Sequence, residues 1–277
     1  MMARRAGNKK ESTMRITMQI WKFAATVLLL MATVAQAQLS AGKDYQLITP
    51  PQPVPPGKTI EVLEFFWYGC PHCSQLQPSL HEWLKKKPAD VAFRSQPAAF
   101  SDDWTQLART FYAIETIGAL EKLHPEVFAA IHKTKKLDPK GLIKDQKPLF
   151  AWVGAQGQDA KKFTDAYNSF SVVSKTNRTV DTTAAYGVSG TPSIAIDGRY
   201  LIAPHMVPTK SGAVDYERFF RNVDELIAMA RANAGGAPMF ANDGVPVLNT
   251  NVSNEEIWRF SGDQVAASLL LGIPEVY

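Results

Sequence analysis

Apolar, β-branched and aromatic residues dominate 59–68 (TIEVLEFFWY), a pattern that predicts a buried strand with Glu64 as its odd member and Gly69 as its end. From Cys70 to Lys87 the spacing turns helical, with Pro71 tolerated in the first turn and Pro78 expected to kink the helix. A second strand is predicted over 91–95. The middle of the chain then reads as helix after helix. In 103–118, Trp104, Leu107, Ala108, Phe111 and Ile114 recur at helical spacing, shorter pieces follow at 126–132 and 149–153, and 161–170 and 174–186 complete the block. Strands return at 193–196 and 200–202, joined by Asp197-Gly198, a dipeptide suited to a tight hairpin turn. A last helix, 215–231, places Tyr216, Phe219, Phe220, Val223, Leu226 and Ile227 on one face. No internal repeat is visible. From residue 234 the sequence becomes polar and turn-rich, ending in a short helix expected to start at 253–256 (SNEE), which has the form of a capping box.

Ahead of these elements lies a different kind of apolar run. Residues 23–34 (FAATVLLLMATV) follow a basic stretch and precede Ala35-Gln36-Ala37, the order of a secretory signal peptide cleaved before Gln38. A membrane anchor is the alternative, but the run of 12 residues falls short of the roughly 20 that span a bilayer. Met14 also opens a well-proportioned signal, so translation from either Met1 or Met14 fits. The leader changes the meaning of the charge. The 277 residues carry 30 Lys and Arg against 26 Asp and Glu, a formal +4, which by itself would suit an anionic partner. Six of those basic residues (Arg4, Arg5, Lys9, Lys10, Arg15, Lys22) and one acid (Glu11) lie in 1–37, leaving 24 basic and 25 acidic residues beyond. That near-neutral remainder argues against a nucleic-acid partner. Hydrophobic residues make up 45% and charged residues 20%, enough for a sizeable core and unlike a disordered chain.

Only two cysteines occur, Cys70 and Cys73, so no disulfide framework holds this fold. Cys70-Pro71-His72-Cys73 follows a strand and opens a helix. The first cysteine therefore faces the unpaired N–H groups and positive end of the helix, while the second sits a turn deeper. A thiolate at Cys70 is stabilised there, and His72 adds to that as a donor or cation, so the reduced pair is favoured and its disulfide is an oxidant. Zinc would need more ligands than one cysteine pair and a spare His81 supply. A c-type haem would need His directly after Cys73, where Ser74 stands. An inert buried pair is the remaining alternative.

The stretch VLEFFWYGCPHC, together with Val188-Ser189-Gly190-Thr191-Pro192 ahead of a strand and Asp197-Gly198, resembles the DsbA family of bacterial periplasmic thiol:disulfide oxidoreductases, within the thioredoxin superfamily. The resemblance spans about 45–231. It implies an α/β thioredoxin fold with an inserted all-helical domain: a signal peptide at 1–37, the thioredoxin-like part at 38–98 and 185–233, the helical insert at 99–184, and an extension at 234–277 of unassigned structure. By resemblance Cys70 is the exposed cysteine that a substrate thiolate attacks, Cys73 the buried partner it releases, and Pro71 and His72 the intervening pair, His72 tuning the sulfurs. Thr191 and a cis Pro192 are expected to face the disulfide and pair with substrate backbone. Thr191 stands where the best-known member has Val, which bears on how strongly this pair oxidises.

Glu64 leaves two readings open. One is a buried acid exchanging protons with Cys73; the other has it pointing from a sheet edge toward a lysine such as Lys58. Trp67 and Tyr68 suit either an apolar lip at the site or plain core, and His81, His124, His132 and His205 read as ordinary surface or core histidines. The function expected is donation of the Cys70–Cys73 disulfide to newly exported proteins with free thiols, by a monomer without bound cofactor or metal. A quinone-linked membrane oxidase of the DsbB type would reoxidise the pair. Rival readings are a disulfide isomerase or reductase, for whose dimerisation domain 38–56 leaves no room, and a non-catalytic chaperone for exported chains.

Overall fold

The predicted 59–68 strand is covered on both faces. In the computed structural model, which describes residues 39–234 apart from 56, 58 and 210, Ile60–Phe66 forms β2 with every residue buried. β3 (Val91–Pro97) runs parallel to it, with Ile60 opposite Val91 and Phe66 opposite Pro97, two residues longer than the alternation suggested. On its other side β4 (Ser193–Ile196) runs antiparallel, with Glu64 opposite Ile194. β5 (Tyr200–Ile202) and β1 (Gln46–Leu47) complete a mixed sheet in the order β1-β5-β4-β2-β3. β1 escapes the sequence pattern because two residues carry no periodicity. The leader and the tail from 235 on, with the signal peptide, start site and SNEE helix expected there, lie outside the described residues.

Glu64 therefore occupies a central strand, and the sheet-edge reading of it is corrected. A second carboxylate of β2, Glu61, is also buried and receives the Arg94 guanidinium at 2.9 Å.

α1 (Pro71–Leu84) leads away from β2, and Pro78 lies inside it without ending it. Between β3 and β4 the chain is helical throughout: α2 (Asp102–Thr116), α3 (Leu120–Phe128) running into a π turn (Ala129–Lys133), α4 (Pro139–Lys144), α5 (Lys147–Ala155), α6 (Ala160–Tyr167), α7 (Phe170–Asn177) and α8 (Thr179–Ala185). The pattern and the structure differ in four places, the first being the helix expected over 161–170, which ends at Tyr167 with Phe170 opening the next. α3 begins before Pro125 rather than after it. α4 is an added element, started by the Asp138 carboxylate on the Lys140 and Gly141 N–H groups and by Pro139 in the first turn. The helix expected over 174–186 is two helices meeting at Arg178. There Thr176, Thr179, Thr182 and Thr183 each turn their hydroxyl back onto the carbonyl four residues earlier, a bond that bends helices already weakened by β-branching.

Gly187 ends α8 in a left-handed conformation (φ +65°), with its own N–H on the Ala184 carbonyl and the Val188 N–H on that of Thr183. This closing pattern requires glycine and carries the chain back to the sheet. Val188 and Tyr186 there pack with Leu63, Phe65, Ala195 and Leu201 on one sheet face. The alternate residues of β2 face the other way, and Phe66 joins a cluster that runs from Cys70 and Cys73 into Phe111, Ile114, Leu123 and Phe128 of the helical block. α9 (Tyr216–Ala234) closes the fold against α1. Trp83 stacks on Phe220 and donates to the Asp224 carboxylate at 2.8 Å, while Arg231 grips Asp90 through two bonds of 2.7 and 3.0 Å.

The β4–β5 turn brings two stretches of backbone close together. Asp197 and Gly198 both have positive φ (52° and 61°), and the Gly198 carbonyl accepts from the Gln52 N–H at 2.8 Å. A Cβ at 198 would collide with the Gln52 carbonyl oxygen. Gly198→Ala is expected to destabilise the protein by about 1–3 kcal/mol, read as a lowered urea midpoint with unchanged slope.

Candidate active site

The residues before the cysteines form a turn: the Cys70 N–H donates back to the Trp67 carbonyl at 3.0 Å, with Tyr68 and Gly69 between. Cys70 then takes extended angles (φ −83°, ψ 118°) as the cap of α1, and Pro71 fills the first helical position, where no N–H is needed. Since no side chain caps this end, the first N–H groups of the helix are left for the Cys70 sulfur.

The two sulfurs differ sharply. Cys70 is 8% exposed and Cys73 is fully buried, both as free thiols. A hydrogen bond from the Cys73 thiol brings Cys70 from an ordinary 9.0 down to about 5. Burial opposes this, while the Thr191 side chain and the backbone N–H groups of Cys73 and His72 support it. Burial pushes the Cys73 thiol far up, and its bond to Cys70 adds to that.

Across from the helix the Thr191–Pro192 peptide is cis, and the Cys70 thiol donates to the Thr191 carbonyl at 3.3 Å. His72 and Pro71 are exposed, so the part of His72 that reaches Cys70 is its backbone.

Glu64 lies beneath α1, fully buried, accepting from Gln77 Nε2 at 3.0 Å and from the Ser95 hydroxyl at 2.9 Å. Burial raises its carboxyl to about 7, and those two donors hold it from going higher. The alternative partner, Lys58, lies outside the described residues.

Trp67 and Tyr68 divide the two readings given to them. Trp67 is half-buried, stacked on Trp104 at 4.1 Å, whereas Tyr68 is core. Pattern reading missed three neighbours. His124 Nδ1 meets the Tyr68 hydroxyl at 2.8 Å, His132 Nε2 meets the Tyr68 carbonyl at 2.7 Å, and the Tyr216 phenol is raised by burial and by nearby Cys73 and Cys70. Nothing in a one-dimensional pattern links 68 to 124 and 132; the apolar character of 123–131 was the only available hint that His124 sits inside. Among the described residues, no three His, Cys, Asp or Glu side chains converge as a metal site.

The DSBA-like thioredoxin domain model matches residues 61–223, from β2 into α9. The chain belongs to the DsbA family. It is 39% identical over 206 residues to a thiol:disulfide interchange protein DsbA of Burkholderia cepacia, covering 70% of this chain and 94% of that one. Against DsbA of Pseudomonas aeruginosa the identity is 37% over 181 residues, covering 63% and 83%. The crystal structure of Pseudomonas aeruginosa DsbA superposes with a TM-score of 0.63 at 33% identity, covering 72% of this chain and 97% of that one. Sheet, flanking helices and the helices between β3 and β4 are thus a DsbA-type thioredoxin fold with a helical insertion, as the resemblance implied.

The electrostatics of the Cys70 and Glu64 environments carry two expected outcomes. Alkylation of the reduced protein at Cys70 should be half-maximal near pH 5, and Thr191→Val should move that midpoint upward by removing a group that supports the thiolate. The Glu64 carboxyl is raised on folding, so the stability linked to it is fully present below the unfolded value of 4.5 and is lost as pH rises through about 7. Glu64→Gln should therefore gain stability relative to the parent at pH 8 and not at pH 4, measured by urea unfolding at both.

Proposed function

We propose that this DsbA-family thiol:disulfide oxidoreductase works through Cys70 and Cys73, donating their disulfide to exported proteins in the periplasm. The observation that carries the reading is the asymmetry of the pair: a partly accessible Cys70 at about 5 beside a fully buried Cys73 pushed far up. Only Cys70 can be reached by a substrate thiolate, and only Cys70 leaves readily as one.

In the oxidised enzyme the substrate thiolate attacks the Cys70 sulfur. The Cys70–Cys73 bond breaks, a mixed disulfide forms, and Cys73 departs with the electron pair and takes a proton. Glu64, under α1 and titrating near neutrality, supplies that proton. A second substrate thiolate then attacks the substrate sulfur of the mixed disulfide, and Cys70 leaves as a thiolate. Two electrons have passed to the enzyme and the substrate holds a new disulfide. Thr191 and Pro192 bind the substrate as an extended segment, since their backbone lines the approach to Cys70 at 3.3 Å. His72 tunes the sulfur through its backbone N–H. A membrane oxidase that hands electrons to quinone, of the DsbB type, restores the disulfide, and the enzyme acts as a monomer.

The test is oxidative refolding of a reduced, unfolded protein with paired cysteines. With the oxidised enzyme as the sole oxidant, Cys70→Ser and Cys73→Ser, each left with no disulfide to donate, should both abolish disulfide formation. Glu64→Gln should slow substrate oxidation severalfold with little change in Cys70 alkylation. Disulfide formation by Cys70→Ser at the parental rate would sink the reading, and aggregation suppression surviving as the sole activity would favour a chaperone instead.

A further inference from the structure

Tyr68 is held at both ends by histidines of one helical segment. His132 sits in the π turn that follows α3, where the Thr134 N–H reaches the Ala129 carbonyl at 2.8 Å, and its Nε2 lies 2.7 Å from the Tyr68 carbonyl oxygen. A carbonyl only accepts, so His132 carries its proton on Nε2 and donates. The Tyr68 hydroxyl, kept protonated by burial, shares a hydrogen bond of 2.8 Å with His124 Nδ1. This leaves His124 Nε2 buried with no partner, set edge-on to the rings of Phe66, Phe111 and Phe128. A phenylalanine would pack in that ring cluster without an orphaned nitrogen, so packing alone does not account for histidine there.

The carbonyl that His132 grips belongs to the peptide between Tyr68 and Gly69, the central peptide of the turn that ends at Cys70. Gly69 cannot resist a flip of that peptide, since it has no Cβ, and none fits there: a Cβ would run into the Trp67 indole. The bond from the Cys70 N–H to the Trp67 carbonyl closes the turn, and the Tyr68 carbonyl is held from the helical segment by His132.

The geometry points to His132 as a positioning residue for disulfide exchange, which pins the Tyr68–Gly69 peptide and thereby holds Cys70 at the start of α1, with His124 anchoring the far end of Tyr68. When the pin is lost, the peptide samples its flipped form and Cys70 loses its setting against the helix N–H groups. The thiolate is then less favoured, and the enzyme becomes a weaker oxidant.

The inference rests on Cys70 being the exchanging sulfur, and the experiment separates the two. In the purified protein, His132→Ala should move the equilibrium with glutathione about threefold to tenfold toward the disulfide and raise the pH midpoint of Cys70 alkylation by about half to one unit. His132→Gln, whose amide N–H reaches the same carbonyl, should return both to within about twofold of the parent. Should His132→Ala fail to fold, His132→Asn, polar but too short to reach, takes its place with the same expected shifts. A lowered melting temperature with parental equilibrium and alkylation midpoint would overturn the proposal, as would a glutamine variant displaced as far as alanine. Low-pH alkylation that persists in Cys70→Ser would instead overturn the assignment of Cys70 itself.

Discussion

The first N–H groups of α1 have no acceptor within the helix, and the protein places a sulfur there instead of an oxygen cap. A charge at a helix N-terminus gains up to about 2 kcal/mol, about one and a half pKa units at roughly 1.4 kcal/mol per unit. The Cys70 thiol falls from 9.0 to about 5, more than twice that. The helix end alone is therefore insufficient. The larger part comes from the Cys73 thiol, which can donate only while it keeps its own proton, and burial beneath the helix is what makes it keep it. Accessibility of one sulfur and burial of the other are a single arrangement.

That arrangement needs a floor, and β2 supplies it. The strand is paired on both edges and packed on both faces, and period-two alternation turns Leu63 and Phe65 to one core and Phe66 to the other. Phe66 belongs to the same cluster as Cys73 and the helical block, which makes the redox pair continuous with the packing of α2 and α3. The helices between β3 and β4 thus form one wall of the site, and their hold on Tyr68 brings them to within two residues of Cys70.

How much of this was legible in the sequence depended on the range of the interaction. β2, α1, α2, β4, β5 and α9 emerged from local periodicity, because each buries a face that repeats along the chain. The cysteine motif and Thr191-Pro192 were readable for a different reason: each is a short run with its own chemistry, although that the two face each other came from the resemblance and not from spacing, and the 3.3 Å between the Cys70 sulfur and the Thr191 carbonyl from the structure. What escaped was long-range or sub-periodic. β1 is two residues long, α4 depends on one Asp-Pro cap, and the split at Arg178 comes from threonine hydroxyls competing for helix carbonyls. His124 and His132 looked ordinary because their partner is one tyrosine far away in sequence, and the pairing exists only once α3 has docked on the end of β2.

Glu64 shows how an apparent misfit in a strand pattern becomes intelligible once its partners are known. A carboxyl buried under a helix with no donors would be locked in its protonated form, unable to give a proton and recover it at neutral pH. Gln77 and Ser95 each stabilise the ionised form, and the balance with burial leaves the group near 7. Gln77 lies one helical turn beyond Cys73 and Ser95 lies opposite Glu64 on β3, so the carboxyl is held between the helix that carries the sulfurs and the strand beside it. Cys73 feels the charge of Glu64, which raises the thiol further. A carboxylate on Glu64 and a thiolate on Cys73 are accordingly disfavoured together, so that of the two groups at least one holds a proton. The strand position that looked least suited to a sheet is the one whose charge a buried sulfur feels.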